Sequence, residues 1–284
     1  MRVVVTGGTG FIGSRLVARL RDDGVDVVVP PRGVTAGVDG ADAVVHLAGE
    51  SVAQRWTPSA KARIEGSRVD GTRRLVEAMA AAARKPAVLV AASAVGYYGA
   101  RGDEELGEDA PPGDDFLSRT CVAWERAASG AEAAGIRVVR LRIGVVLASG
   151  GGALAKMLPA FRAFAGGPIG SGNQWMSWIH RDDLVELVRF ALANPAASGA
   201  LNATAPRPVR NRDFAAALGR ALGRPAVVPA PAPAVRLLLG EMATMVLDGQ
   251  RLVPKRALDL GFRFRFPDLP AALGDALGAP ATPA

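Results

Sequence analysis

The sequence predicts an α/β protein: a doubly wound parallel sheet with helices on both faces and a small C-terminal lobe. Three observations lead there. Short Val-rich apolar runs alternate with helical patterns, which is how strands buried on both faces of a parallel sheet read. A glycine-rich turn joins the first run to the first helical pattern. The alternation loosens after Thr204, where Pro206, Pro208, Pro225, Pro229, Pro231 and Pro233 interrupt it.

Strands are expected over residues 3–5, 25–29, 43–47, 87–92, 137–143 and 200–203. Helices are expected over 10–22, 60–83, 116–134, 154–165, 181–193 and 211–222. Beyond them the pattern predicts an apolar helix over 235–247, a polar Pro-bearing segment over 250–267 and a short helix over 269–277. Residues 278–284 read as a frayed tail. The division is a sheet domain over 1–204 and a substrate or cap lobe over 205–284.

A chain of 284 residues can bury a sizeable core, and 49% hydrophobic with 21% charged residues is an ordinary globular balance. No apolar run approaches the length of a membrane helix. The start of the chain has no charged leader and apolar stretch, so the expected compartment is the cytoplasm. Cys121 is the single cysteine, which excludes an intramolecular disulfide. The net charge is +7, but the arginines are scattered and no basic run reaches five residues. Nucleic acid and membrane are therefore not the expected partners. A local excess of Arg around an anionic cofactor is the more economical use of the charge, with a small-molecule substrate and a monomer or homodimer.

The run Gly7-Gly8-Thr9-Gly10-Phe11-Ile12-Gly13 has the spacing G-x-x-G-x-x-G between a strand and a helix. Gly7 permits the tight turn, Gly10 lets the backbone approach a pyrophosphate, and Gly13 lets the helix pack on the strand. The helix N-terminus then offers free N–H groups to the phosphates. This is the dinucleotide-binding turn of a Rossmann sheet. The second strand would end in an acid for NAD, whose ribose 2′-hydroxyl a carboxylate binds. Here it runs Val29-Pro30-Pro31-Arg32, and a guanidinium suits a 2′-phosphate, so the expected cofactor is NADP(H). Asp42 lies too far along to serve the ribose. The third strand runs into His46-Leu47-Ala48-Gly49-Glu50. Its small residues let a cofactor lie against the backbone, and His46 reads as packed against the sheet.

These residues, together with Ala91-Ala92-Ser93-Ala94-Val95-Gly96-Tyr97-Tyr98-Gly99, resemble the extended and atypical short-chain dehydrogenase/reductases. Longer segments narrow the resemblance: Arg55-Trp56, Ser67-Arg68-Val69, Cys121-x-x-Trp124-Glu125, residues 170–180, 202–206 and 249–256. Together they resemble the NAD-dependent epimerase/dehydratase family, in proteins whose C-terminal segment has no assigned function. The resemblance implies that Arg32, Leu47, Ala48, Arg68 and Val146 also line the cofactor site. The other reading of Arg68 is a surface arginine on an amphipathic helix.

That superfamily's chemistry uses a Tyr-x-x-x-Lys pair on one helix face, the lysine lowering the tyrosine pKa. The pair is absent: aligned on Glu125, Leu117 and Cys121 occupy its positions. The only tyrosines are Tyr97 and Tyr98. One reading is an oxidoreductase or epimerase-like enzyme using Ser93 as hydrogen-bond donor with Tyr97 or Tyr98 as the acid, and Cys121 or His180 as further candidates. The other is a non-catalytic NADP(H)-binding sensor or regulator. Cys121 reads as inert packing, His180 as structural or pocket-lining beside an Asp182-Asp183 helix cap, and Trp175 and Trp178 as pocket walls or core.

Overall fold

The computed structural model describes residues 1–278. The first half of the chain forms β1 (Arg2–Thr6), α1 (Gly13–Asp22), β2 (Asp26–Val28), β3 (Ala43–His46), α2 (Pro58–Ala81), β4 (Val88–Ala94), β5 (Glu105–Leu106) and α3 (Phe116–Ser129). Next come β6 (Arg137–Ile143), β7 (Val145–Leu147), α4 (Gly152–Arg162), β8 (Trp175–Met176), β9 (Trp178–His180), α5 (Arg181–Ala193) and β10 (Gly199–Ala203). The C-terminal part holds β11 (Val209–Arg210), α6 (Asn211–Leu222), α7 (Ala232–Leu239), α8 (Thr244–Leu247), β12 (Arg251–Leu252), α9 (Lys255–Asp259) and α10 (Leu269–Leu277).

The central sheet has six parallel strands in the order β10-β6-β4-β3-β1-β2. The chain starts at β1, adds β2 on one side and then crosses to β3 on the other. The order therefore reverses at β1, and a crevice opens at the carboxyl ends of β1 and β3, where ligands bind in such sheets. The period-2 alternation of β1 sends Val3 and Val5 to one face, against Leu16 and Leu20 of α1 and Leu184 and Val188 of α5. Val4 faces the other way, with Val44 of β3, Leu75 and Met79 of α2 and Ala128 of α3. Each such Val, Leu or Met side chain taken from water contributes about 1.5–3 kcal/mol. The double winding that the apolar runs predict is present.

Several elements differ from expectation. The helix expected over 116–134 ends at Ser129 and continues as a 3-10 turn over Gly130–Ala134, and the segment expected over 250–267 holds β12 and α9. The first helix starts at Gly13 rather than Gly10, because residues 7–12 form the turn, closed by Gly10 N–H donating to Gly7 O at 3.0 Å. The apolar helix expected over 235–247 is broken into α7, a 3-10 turn at Gly240–Ala243, and α8. Gly240 has φ 61°, a left-handed conformation no helix interior accommodates. Of the expected tail 278–284, only Gly278 lies within the described residues.

The C-terminal helices share their core with earlier elements. Leu154, Leu158 and Phe161 of α4 and Trp178 of β9 pack with Phe214 and Leu218 of α6 and Leu269 and Leu273 of α10. The segment after α8 returns to the sheet domain: β12 pairs in parallel with β5, Arg251 opposite Glu105 and Leu252 opposite Leu106. Among the described residues, no helix is long and apolar enough to cross a membrane.

Candidate functional site

The glycine turn sits at the switch point. Gly7 has φ 73°, and a Cβ there would lie 2.8 Å from the backbone of Leu47 and Ala48. A Cβ on Gly13 would clash with the Gly7 carbonyl oxygen. Gly8 is buried, Phe11 and Ile12 are half-buried, and Thr9 and Gly10 face solvent. Above the turn, α1 begins with no side-chain cap and no acid in its first turn. By contrast Thr57 caps α2, Asp115 caps α3 and His180 caps α5. The positive end of α1, with no side-chain cap and no acid beside it, fits an anion. Turn and helix together fit a dinucleotide pyrophosphate.

A pocket continues from the turn towards the end of β2. Its lining includes Gly7, Arg32, Ala48, Gly49, Glu50 and Ser67. The Arg32 side chain is 85% exposed, and its Nη1 stands 3.7 Å from Glu50 Oε2. Arg68 lies behind this wall rather than in it. Its Nη1 donates to Glu50 O at 2.9 Å, its guanidinium lies 5.0 Å from the Trp124 ring, and burial lowers its pKa. Glu50 N–H in turn meets Ser67 Oγ at 2.9 Å. Leu47 is half-buried beside the turn, and Val146 of β7 pairs with Ile179 of β9 against the main core.

His46 is buried, with Nδ1 at 2.5 Å from Thr6 Oγ1 and Nε2 at 3.0 Å from Thr72 Oγ1. Burial pushes its pKa down to about 4, so the ring is neutral at pH 7. The unfolded chain takes up this proton below pH 6.5 and the folded chain only near pH 4. The stabilisation is therefore whole above pH 6.5 and falls away towards pH 4, by about 3 kcal/mol. Urea unfolding at pH 7 and pH 4.5 should show a smaller loss for His46→Asn than for the wild type. Equal losses would exclude this coupling.

The strand-end residues lie on a buried polar network. Ser93, at the end of β4, is buried and donates to Glu125 Oε1 at 2.7 Å. Arg142 of β6 grips the same carboxylate through Nε at 2.8 Å and Nη2 at 3.0 Å. Its Nη1 donates to Tyr98 Oη at 2.8 Å and to Glu108 O at 2.9 Å. The Tyr98 hydroxyl donates to Asn202 Oδ1 at 2.7 Å. Tyr98 is fully buried, and burial pushes its phenol up to about 12. Both Ser93 and Tyr98 thus address the protein interior. Tyr97 differs: it is half-buried, its ring lies 3.5 Å from the Arg142 guanidinium carbon, and its hydroxyl has no partner among the described residues. Leu117 covers Gly96 and Cys121 is buried in α3, its thiol pushed up to about 12 by burial. Neither position holds a group that titrates near neutrality.

The C-terminal segment enters this network. Asn202 Nδ2 donates to Val253 O at 2.9 Å, and the buried Glu108 carboxylate accepts from the backbone N–H of Asn202 at 3.0 Å and of Arg256 at 3.3 Å. Burial raises the pKa of Glu108. Glu108, Arg142 and Asn202 do not emerge from motif spacing. A readable signal existed for one: an arginine between Leu141 and Ile143 in a parallel strand of the central sheet needs a buried partner.

Trp178 is core, its Nε1 donating to Arg207 O at 3.1 Å. Trp175 is half-buried in a rim cluster with Asp103 and Arg210. The α5 cap expected from the aspartates is supplied by His180, whose Nδ1 accepts from Asp182 N–H at 3.2 Å. Asp183 instead accepts from the N–H groups of Arg265 and Phe266 at 2.8 and 2.9 Å, tying α5 to the C-terminal segment.

The fold and the turn are those of the dinucleotide-binding α/β class. The chain belongs to the NAD dependent epimerase/dehydratase family, whose model matches residues 3–38 and 32–203; a domain of unknown function, DUF1731, matches 230–276. It is 45% identical over 291 residues to the Arabidopsis thaliana "Epimerase family protein SDR39U1 homolog, chloroplastic", covering 94% of this chain and 84% of that one. It is 38% identical to the Bacillus subtilis epimerase family protein YfhF, covering 96% and 97% of the two chains. A crystal structure of the human epimerase family protein SDR39U1 with NADPH superposes with TM-score 0.92 at 38% identity, covering 98% and 99%.

Proposed function

We propose that this chain is an NADP(H)-binding oxidoreductase or epimerase-like protein acting on a small-molecule substrate, in the cytoplasm, as a monomer or homodimer. The observation that carries the cofactor choice is Arg32: a largely exposed guanidinium, facing only Glu50 at 3.7 Å, stands just beyond β2 at the rim of the pocket that continues from the glycine turn. The human relative solved with NADPH supports the same cofactor. Bound NADPH supplies a hydride. The chain's own part is to hold the pyrophosphate on the α1 N-terminus, hold the 2′-phosphate at Arg32, and deliver a proton from Tyr97. Of the three hydroxyls at the end of β4, only that of Tyr97 is free of the buried network.

A second reading, a non-catalytic NADP(H) sensor, is favoured by one observation. Leu117 and Cys121 fill the catalytic positions, and Ser93 and Tyr98 are bonded inward. Turnover of NADPH against a panel of carbonyl compounds and nucleotide sugars separates the two. Oxidation of NADPH by any of them supports the enzyme; tight binding with no oxidation across the panel supports the sensor.

Arg32→Ala is expected to weaken NADPH by about 10- to 100-fold, the worth of one or two charge-assisted hydrogen bonds. NADH affinity should change less than about threefold. Calorimetric titration of both cofactors checks this, and an equal loss for both would remove Arg32 from the 2′-phosphate. Cell fractionation tests the compartment, since the plant relative is named chloroplastic.

A further inference from the structure

The pocket beyond β2 holds a second cation. Arg74 of α2 lines it together with Arg32, facing it from the helix rather than from the strand end. Ser67, Gly71 and Arg74 lie at i, i+4 and i+7 on α2 and so share one helix face. A Cβ on Gly71 would meet nothing within 4 Å, so this face is open between the serine and the arginine. Arg74 is exposed and forms no ion pair among the described residues, although Arg73 beside it pairs with Asp70.

The pocket also holds one carboxylate, Glu50, which faces Arg32 at 3.7 Å. The Glu50 backbone is fixed at both ends of its peptide, by Ser67 and by Arg68. The carboxylate accepts from Gln54 Nε2 at 3.4 Å and stands beside the guanidinium that a phosphate would take. It stands where an anion belongs, and a phosphate arriving there meets like charge.

Resting on the NADP(H) reading above, we infer that Arg74 and Arg32 clamp the cofactor's 2′-phosphate from opposite walls. Glu50 is the internal anion that holds Arg32 until the phosphate replaces it. Binding exchanges one arginine–carboxylate contact for arginine–phosphate contacts and adds a second cation. Arg74 therefore raises the preference for a 2′-phosphate, and Glu50 lowers it.

The test uses the full chain and calorimetric titration with 2′,5′-ADP and 5′-AMP, which differ only in the 2′-phosphate. Arg74→Ala should weaken 2′,5′-ADP by about tenfold or more and leave 5′-AMP within about twofold. Glu50→Gln should tighten 2′,5′-ADP severalfold and leave 5′-AMP unchanged. Unaltered 5′-AMP binding also reports that each variant is folded. A wild-type preference for 2′,5′-ADP that survives intact in Arg74→Ala overturns the clamp and leaves the cofactor reading standing. Weaker binding of both nucleotides to Glu50→Gln overturns the displaced-anion role, because Glu50 would then hold the nucleoside. No preference in the wild type overturns both the clamp and the NADP(H) reading.

Discussion

Arg142→Met is expected to destabilise the protein by about 3–5 kcal/mol, the cost of stranding one member of a buried ion pair. The pair is well inside: both side chains are 5% exposed. Arg142 makes two bonds to Glu125 and one each to Tyr98 and Glu108. Without it the Glu125 carboxylate keeps only the Ser93 hydroxyl. The double variant Arg142→Met/Glu125→Leu should recover most of the loss, because an apolar pair of similar volume removes both desolvation penalties. Urea midpoints of the wild type, both single variants and the double variant give the comparison. If Arg142→Met leaves the midpoint in place, the network is not a stabilising one. If the double variant is no better than the single, the remaining groups, Tyr98 and the Glu108 carbonyl, hold the energy instead.

The network explains why the fold was more legible than the site. The six strands of the sheet read from their apolar runs, because strands buried on both faces are rich in Val, Ile and Leu; β6 is the exception, with Arg137, Arg140 and Arg142 among its apolar residues. The glycine turn read directly too, since backbone clashes at Gly7 and Gly13 leave no other residue type. The break at Gly240 was hidden, because the apolar residues on either side of it, Leu237 to Leu239 and Met245 to Leu247, suggest one buried element. In fact Leu237 and Leu238 are 82% and 76% exposed. The polar cluster was hidden for a different reason. Ser93, Glu108, Glu125, Arg142 and Asn202 come from five separate places in the chain and meet only once the sheet has formed. Periodicity reports which face is buried, not which polar groups are paired there. The same limit applies to Arg74, whose place in one pocket with Arg32 depends on how α2 packs beside the end of β2.

Tyr97→Phe is expected to lower kcat for carbonyl reduction by about 10²- to 10⁴-fold, the range for loss of a positioned general acid. NADPH affinity should be unchanged, because Tyr97 is not among the residues lining the turn or the pocket beyond β2. The Tyr98 phenol is fully buried, bonded to Asn202 and Arg142, and pushed up to about 12 by burial. Ser93 donates to Glu125, and Cys121 holds its proton at pH 7. Tyr97 alone has a free hydroxyl, on a ring held between the Arg142 guanidinium and the edge of Tyr98. That ring is fixed by packing, which is what a proton donor needs if it is to be placed without a partnering lysine. Tyr98→Phe is the control: it deletes two hydrogen bonds from the network, so it should lower the urea midpoint and leave kcat within a few-fold. A Tyr97→Phe protein that turns over at the wild-type rate would exclude Tyr97 as the acid. A Tyr98→Phe protein that loses turnover at unchanged stability would transfer the role to the buried phenol, and would require the network to open when substrate binds.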